Sequence, residues 1–327
     1  MSGSRSTENK IILIKRKSRL EELVVRYNTI QQAQFNIERL GADFSDYLSE
    51  DFHYRKAVET AVIELGAVGR VQLLERQHVP NFIFGEQDTV VVLGQDGLVA
   101  NTLKYLQEQP LIGVNPDPQR WDGVLLPFTV QDLRRLVPEV FRGQRQVREV
   151  TLAKAQLNDG QSLYGVNDLF IGRKTHVSAR YQVELNGVTE QQSSSGIIVS
   201  TGMGSTGWLK SVLAGAAGIV RSAAQLQGVA GERASAGVEP DTAGMEQRLP
   251  WDHPNLYFSV REPFPSRNTS AGLVFGQIGS KAPLKITSQM PEDGVIFSDG
   301  VESDFLEFNS GVEATITLAE KRGRLVV

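Results

Sequence analysis

Residues Thr89–Leu93, TVVVL, form an unbroken run of apolar, mostly β-branched side chains that passes directly into Gly94-Gln95-Asp96-Gly97. A run without polar alternation suits a strand covered on both faces, and such strands belong to parallel sheets flanked by helices. Residues 11–14, IILI, make a second run of this kind. Ser18 followed by Glu21 is a capping box, and Leu20, Leu23, Val24, Tyr27 and Ile30 then recur at helical spacing. A further helix is expected from about Asp51, burying Val58, Ala61, Val62 and Leu65 and stopping at Gly66. With strands at 70–74 and 110–114 and a helix at 99–107, the alternation defines an α/β N-terminal domain over 9–128, behind a short polar tail at 1–8.

The periodicity then changes. Val177, Ala179, Tyr181, Val183 and Leu185 alternate with Ser178, Arg180, Gln182 and Glu184, and the segment ends in Asn186-Gly187, a strong hairpin signal. Further strand candidates at 256–260, 272–275, 284–287, 295–297 and 312–318 describe a mainly antiparallel, β-rich C-terminal domain over 129–327, with a helix at 129–142 near the junction. The stretch 228–250 is rich in Ala, Gly, Glu and Ser with weak periodicity, and reads as a flexible surface insertion.

Composition removes several classes of function. There is no cysteine, which excludes disulfides, thiolate metal sites and cysteine nucleophiles. The four histidines, His53, His78, His176 and His253, lack metal-ligand spacing, so no protein metal site is expected. The net charge of -4 argues against a nucleic-acid partner. No apolar run approaches the ~20 residues of a membrane span. The first ten residues, MSGSRSTENK, lack the apolar core of a secretory signal, and a cytoplasmic location is the expectation.

Chemistry must therefore come from carboxylates, hydroxyls, glycines and backbone amides. Gly94-Gln95-Asp96-Gly97 lies after a strand and before a helix, where loops of open α/β sheets bind ligands. Glycines there let amides approach phosphate oxygens, while an aspartate suits a base or a contact to a ribose hydroxyl or Mg²⁺. The plain alternative is a β-turn. Ser200-Thr201-Gly202-Met203-Gly204-Ser205-Thr206-Gly207-Trp208 follows an apolar strand and enters a helix, a setting suited to phosphate and sugar hydroxyls, although it has neither the P-loop lysine nor the Rossmann spacing. Asn167-Asp168 and Asp299-Gly300 are, taken singly, turn signals.

Taken in order, GQDGL at residues 94–98, Asn167-Asp168, STGMGSTGW at 200–208 and Asp299-Gly300 resemble the NAD kinase family, whose corresponding motifs read GGDGT, Asn-Glu, roughly STPTGSTAY and a late Asp-Gly. VNPDP at 114–118, FIGRKTHVSARY at 170–181, SSSGIIVSTGMGS at 193–205 and FSVREP at 258–263 look like the mitochondrial type. The resemblance implies a Rossmann-like α/β domain, a β-rich domain, an active site between them and a homodimer or homotetramer. It implies Asp96 as the catalytic base toward the adenosine 2′-hydroxyl of NAD, with Gly94 and Gly97 shaping the phosphate turn. Asn167 and Asp168 would hold ribose hydroxyls, Thr206, Gly207, Trp208 and Ser211 would line the dinucleotide site, and Ser195 stands where many relatives place an acid touching the dinucleotide. ATP or polyphosphate would be the donor, with Mg²⁺ bridging the triphosphate. Gln95, Leu98 and Asp168 depart from the family's glycine, threonine and glutamate. Two other readings remain open at this point: a non-catalytic NAD(P)-binding protein, and a kinase of related chemistry acting on a lipid.

Overall fold

The computed structural model describes residues 10–226 and 249–327, so the expected tail at 1–8 and most of the expected insertion at 228–250 lie outside the described residues. The chain forms two compact units, Met1–Arg148 with Gly323–Val327, and Glu149–Arg322.

The first unit contains β1 (Lys10–Lys15), α1 (Arg19–Tyr27), α2 (Ile30–Arg39), α3 (Ser45–Gly66), β2 (Arg70–Glu75), β3 (Thr89–Leu93), α4 (Asp96–Leu103), β4 (Leu111–Val114) and α5 (Leu133–Phe141). Its strands pair in parallel in the order β2-β1-β3-β4. Ile11 to Ile14 and Val90 to Leu93 are fully buried, as unbroken apolar runs require. On one face Ile11, Leu13, Val91, Leu93 and Ile112 pack with Tyr54, Ala57, Ala61 and Leu65 of α3 and with Leu133, Leu136 and Val137 of α5. The capping box at Ser18 forms, but the periodic stretch behind it is two helices. Asn28 takes a left-handed φ of 66° and ends α1, and the Thr29 side chain caps α2 by accepting from Gln32 N. Helix α3 starts at Ser45 rather than near Asp51, whose carboxylate instead bonds Ser18 Oγ and Arg55 from inside the helix. The compact unit runs through Arg148 rather than ending near 128, because α5 buries its apolar stripe in the first core.

The second unit is built from β5 (Val147–Leu157), β6 (Ser162–Gly165), β7 (Asp168–Arg173), β8 (Ala179–Leu185), β9 (Val188–Ser194), β10 (Ile197–Ser200), α6 (Trp208–Leu226), β11 (Leu256–Val260), β12 (Phe275–Ile278), β13 (Leu284–Ser288), β14 (Gly294–Ser298), β15 (Phe305–Glu307) and most of β16 (Glu313–Val326). One antiparallel sheet runs β12-β11-β10-β7-β14-β15. A second antiparallel set runs β9-β8-β13-β16. A shared core holds Leu169 and Ile171 of β7, Tyr181 and Val183 of β8, and Phe258 of β11. Asn186 and Gly187 take φ of 51° and 80° and turn β8 into β9 as the sequence signals. The strand expected at 272–275 begins only at Phe275, because Gly272 N and Leu273 N donate to the Glu190 carboxylate instead of to a neighbouring strand. In the first unit, Leu325 near the end of β16 pairs in parallel with Leu111 of β4.

Candidate active site

In the first unit the crossover reverses between β1 and β3, the place where open α/β sheets take ligands beyond the carboxyl ends of their strands. The Tyr54 hydroxyl ties these ends together, accepting from Arg16 N and donating to Leu93 O, both at 2.9 Å. Burial pushes its pKa up to about 12. Gly94 follows β3, and a Cβ there would come within 2.9 Å of Leu98 Cδ2. Leu98 is thus a buried core side chain under the turn, and it requires glycine at 94. Gln95 has φ -120° and ψ 162°, a conformation open to any residue, so its side chain causes no backbone strain. A Cβ at Gly97 would meet nothing, which leaves open space above the first turn of α4.

Asp96 opens α4 half-buried, and its carboxylate accepts from Leu125 N at 2.8 Å and Val124 N at 3.2 Å. Asp96 therefore fastens the 115–125 loop to the Gly94–Gly97 turn. The loop is pressed close elsewhere too: a Cβ on Gly113 would lie 2.0 Å from Leu125 O. Each carboxylate oxygen can accept more than one hydrogen bond, so the group keeps capacity for a ligand hydroxyl.

In the second unit, three motifs far apart in sequence meet on one stretch of backbone. The Asp299 carboxylate accepts from Val166 N (3.0 Å), Asn167 N (2.6 Å) and Asp168 N (3.3 Å), and Asp299 N donates back to Asp168 O at 3.1 Å. Thr201 holds the other side of this turn, its Oγ1 donating to Val166 O at 2.6 Å and its N to Asn167 O at 3.0 Å. Gly204 completes the packing, since a Cβ there would lie 2.0 Å from Asn167 O. Asp299 has φ 54° and Gly300 φ 70°, so the pair is also the tight turn that its sequence suggests. The backbone around Asn167 and Asp168 is clamped at both its donors and its acceptors.

Asp168 lies beside this clamp, and its carboxylate has no hydrogen bond among the described residues. Burial first, and the neighbouring Asp299 charge second, push its pKa up to about 7. It can therefore donate or accept near neutrality, which suits a sugar hydroxyl.

Thr206, Gly207 and Ser211 are exposed around the start of α6, with Ser211 Oγ 3.4 Å from Gly207 O. Trp208 is half-buried and stacks on Phe170 with ring centroids 5.8 Å apart. Ser195 precedes the opposite end of β10 from Thr201, and it bonds the Glu262 carboxylate rather than joining the Asp299 cluster. Gly94, Asp96 and Gly97 belong to the first unit. Among the described residues no group of three or more His, Asp or Glu could hold a metal ion. The sequence reading missed Thr201 and the Asp299 carboxylate as clamps, and Tyr54 as a tie. A strand-ending Ser-Thr and an Asp-Gly pair were the available signals, but neither reveals its partner in sequence.

Comparison with known proteins bears on the fold and on the sequence as a whole. Solved structures of an NAD kinase from Archaeoglobus fulgidus in complex with ATP and of a yeast NADH kinase complexed with NADH both align with a TM-score of 0.55 at 14% identity. The first covers 97% of this chain and 93% of its own, the second 98% and 84%. The fold is that of the NAD kinases. No family model matches the chain. Human mitochondrial NAD kinase 2 is 24% identical over 316 aligned positions, covering 79% of this chain and 72% of the relative. The Xenopus tropicalis counterpart is 24% identical over 387 positions, covering 95% and 88%. An NAD kinase from Paraburkholderia phytofirmans is 30% identical over 137 positions, 39% of this chain and 45% of its own. In sequence, too, the likeness is to NAD kinases, a family of phosphotransferases.

Proposed function

We propose that this protein transfers a phosphoryl group from ATP to the 2′-hydroxyl of the adenosine ribose of NAD, giving NADP. The observation that carries the reading is the convergence of Asn167-Asp168, Thr201–Gly204 and Asp299 on one clamped turn, which leaves the Asp168 carboxyl free to meet a sugar hydroxyl. Asp96 accepts the proton of the 2′-hydroxyl as the new P–O bond forms, a positioned carboxylate compensating for a poor nucleophile. Mg²⁺ enters with the triphosphate as part of the donor, its charge neutralising the phosphate oxygens, since such ions take most of their ligands from phosphate and water. The open space at Gly97 and the free end of α4 suit the donor's phosphates.

The test is NADP formation from Mg-ATP and NAD, read with an NADP-specific dehydrogenase. Wild-type protein is expected to turn over, and Asp96→Asn to lose at least about 100-fold in kcat, the usual scale of general-base loss, with NAD affinity largely kept. A second reading is favoured by Leu98, which puts a buried apolar side chain where the family's loop carries a hydroxyl: a dinucleotide-binding protein without turnover. NAD binding by calorimetry with no NADP from ATP, GTP or polyphosphate would establish that reading instead.

A further inference from the structure

The Asp96 carboxylate is only as well placed as the Val124 and Leu125 amides that hold it, and those amides belong to a loop outside any helix or strand. The loop is stiffened from within. Asn115 accepts from Asp117 N at 3.0 Å and donates its Nδ2 to Trp121 O at 2.8 Å, while Arg120 N and Trp121 N both donate to Asp117 O at 3.1 Å. Gly123, at φ 62°, closes the turn, since a Cβ there would lie 2.7 Å from Asn115 Nδ2. A loop so braced moves as one piece, and a shift at Arg120 reaches Val124 and Leu125.

The far side of this piece is tied to α1 and α3 by a row of alternating charges, all within the first unit. Arg120 Nη1 lies 2.7 Å from Asp46 Oδ1 in the first turn of α3, and Asp46 Oδ2 lies 2.6 Å from Arg19 Nη2. Arg19 Nε bonds the buried Glu50, whose other oxygen accepts from Arg16 Nη2 at 2.8 Å. Hydrogen bonds from Arg19 and then Arg120 hold the Asp46 carboxyl below its ordinary range. Burial acts to raise the Glu50 pKa, but Arg19 and Arg16 together bring it down, so the row is ionised throughout. At its inner end Arg16 Cδ stands 3.9 Å from the place of a Cβ on Gly94. The row therefore starts beside the Gly94 end of the turn and returns, through the loop, to the Asp96 carboxylate.

Stability alone does not account for this row. The Asp46 and Arg19 side chains are 43% and 36% exposed, and pairs so open contribute little. Arg16 Nε and Arg120 Nε are buried without a hydrogen-bond partner among the described residues, a cost that a purely structural network avoids. We propose that Arg120 is a positioning residue: held by Asp46, it fixes the loop whose Val124 and Leu125 amides aim the Asp96 carboxylate for phosphoryl transfer. The proposal rests on the reading of Asp96 as the base and adds Arg120 and Asp46, which lie outside the motifs that carry that reading.

The test is steady-state NADP formation together with amide hydrogen exchange on the full chain. Arg120→Met is expected to lower kcat at least about tenfold with KM for NAD within about twofold, because ~1 Å of misplacement can cost ~100-fold. Arg120→Lys keeps the charge facing Asp46 and should recover most of the loss. Asp46→Ala, at a half-exposed position that folding tolerates, should match Arg120→Met, and the double variant should lose no more than either alone. Arg134→Met, which breaks the 3.1 Å pair with Glu64 elsewhere on α3, should leave kcat unchanged. Without substrates, the Leu125 amide should exchange about tenfold faster in Arg120→Met while the interior of α3 keeps its protection. Full kcat in Arg120→Met, equal losses in the methionine and lysine variants, or unchanged exchange at Leu125 would overturn the proposal. Wild-type turnover with an unmoved Leu125 amide sinks the tether and leaves the kinase; a loosened Leu125 amide with no wild-type turnover does the reverse.

Discussion

The two turns that carry the candidate chemistry are made the same way and tuned differently. In each, an aspartate side chain grips the backbone amides of a remote segment: Asp96 takes two from Val124 and Leu125, and Asp299 takes three from Val166, Asn167 and Asp168. The first turn is exposed above Gly97 and underlaid by Leu98, and it owes its geometry to apolar packing. The second is enclosed, held by hydroxyl and carboxylate bonds, and carries a second acid in Asp168. Substitutions in the first turn are absorbed by packing, whereas the second is held by a polar network centred on Asp299 and Thr201. That difference explains how the sequence can depart from its relatives at Gln95 and Leu98 without disturbing the backbone there.

The comparison can be broken most decisively at Asp299. Asp299→Ala leaves three amides without their acceptor, and should cost about 3–4 kcal/mol in urea unfolding, since hydrogen bonds to charged groups contribute ~1.5–3 kcal/mol each and are not additive. A loss below 1 kcal/mol would show that the clamp is ornamental. Next is Leu98→Thr, which restores the relatives' residue in the first turn. It should destabilise by about 2 kcal/mol through lost burial and a poorly placed hydroxyl; a neutral result would show that packing does not hold this turn.

A smaller effect follows from Asp168. Its folded pKa of about 7 lies above the ordinary carboxylate value of 3.8. The folded protein therefore keeps this proton where the unfolded chain has lost it, and the stabilisation is complete below about pH 4 and lost as the pH rises through 7. Asp168→Asn cannot ionise, so its melting temperature relative to the parent should rise by a few degrees between pH 5 and pH 8, at about 2–4 °C per kcal/mol for a unit of this size. A difference constant with pH would remove the burial argument. Smallest is Gln95→Gly, expected to lower stability by about 0.5–1 kcal/mol because the position gains flexibility and no relief. Stabilisation would mean that the Gln95 side chain is strained after all.

The parallel core was legible because an apolar run has one physical meaning: Ile11–Ile14 and Val90–Leu93 are buried on both faces. Asn186-Gly187 was legible for the same reason, since few residues tolerate two successive positive φ values. Other features depended on contacts that local pattern cannot carry. The break between α1 and α2 turns on one left-handed Asn28 inside a continuous helical period. The delayed start of β12 turns on Glu190, more than 80 residues away in sequence. At the site, the residue types of Asn167, Asp168 and Thr201 could be read as sugar-binding chemistry. Their assembly through Asp299 spans more than 130 residues and had no signature. The Arg120 tie was invisible because its members come from α1, α3 and the loop after β4.

Strand β16 has a consequence for the order of events at the ribosome. Residues 323–327 belong to the first unit, where Leu325 pairs with Leu111 and Val326 is fully buried in the core of α3 and α5. The parallel sheet thus lacks its last strand until the whole second unit has been synthesised. Domains usually fold in the order in which they emerge. Here the earlier-made half must wait with an open sheet edge, a natural point for chaperone capture or mispairing during synthesis.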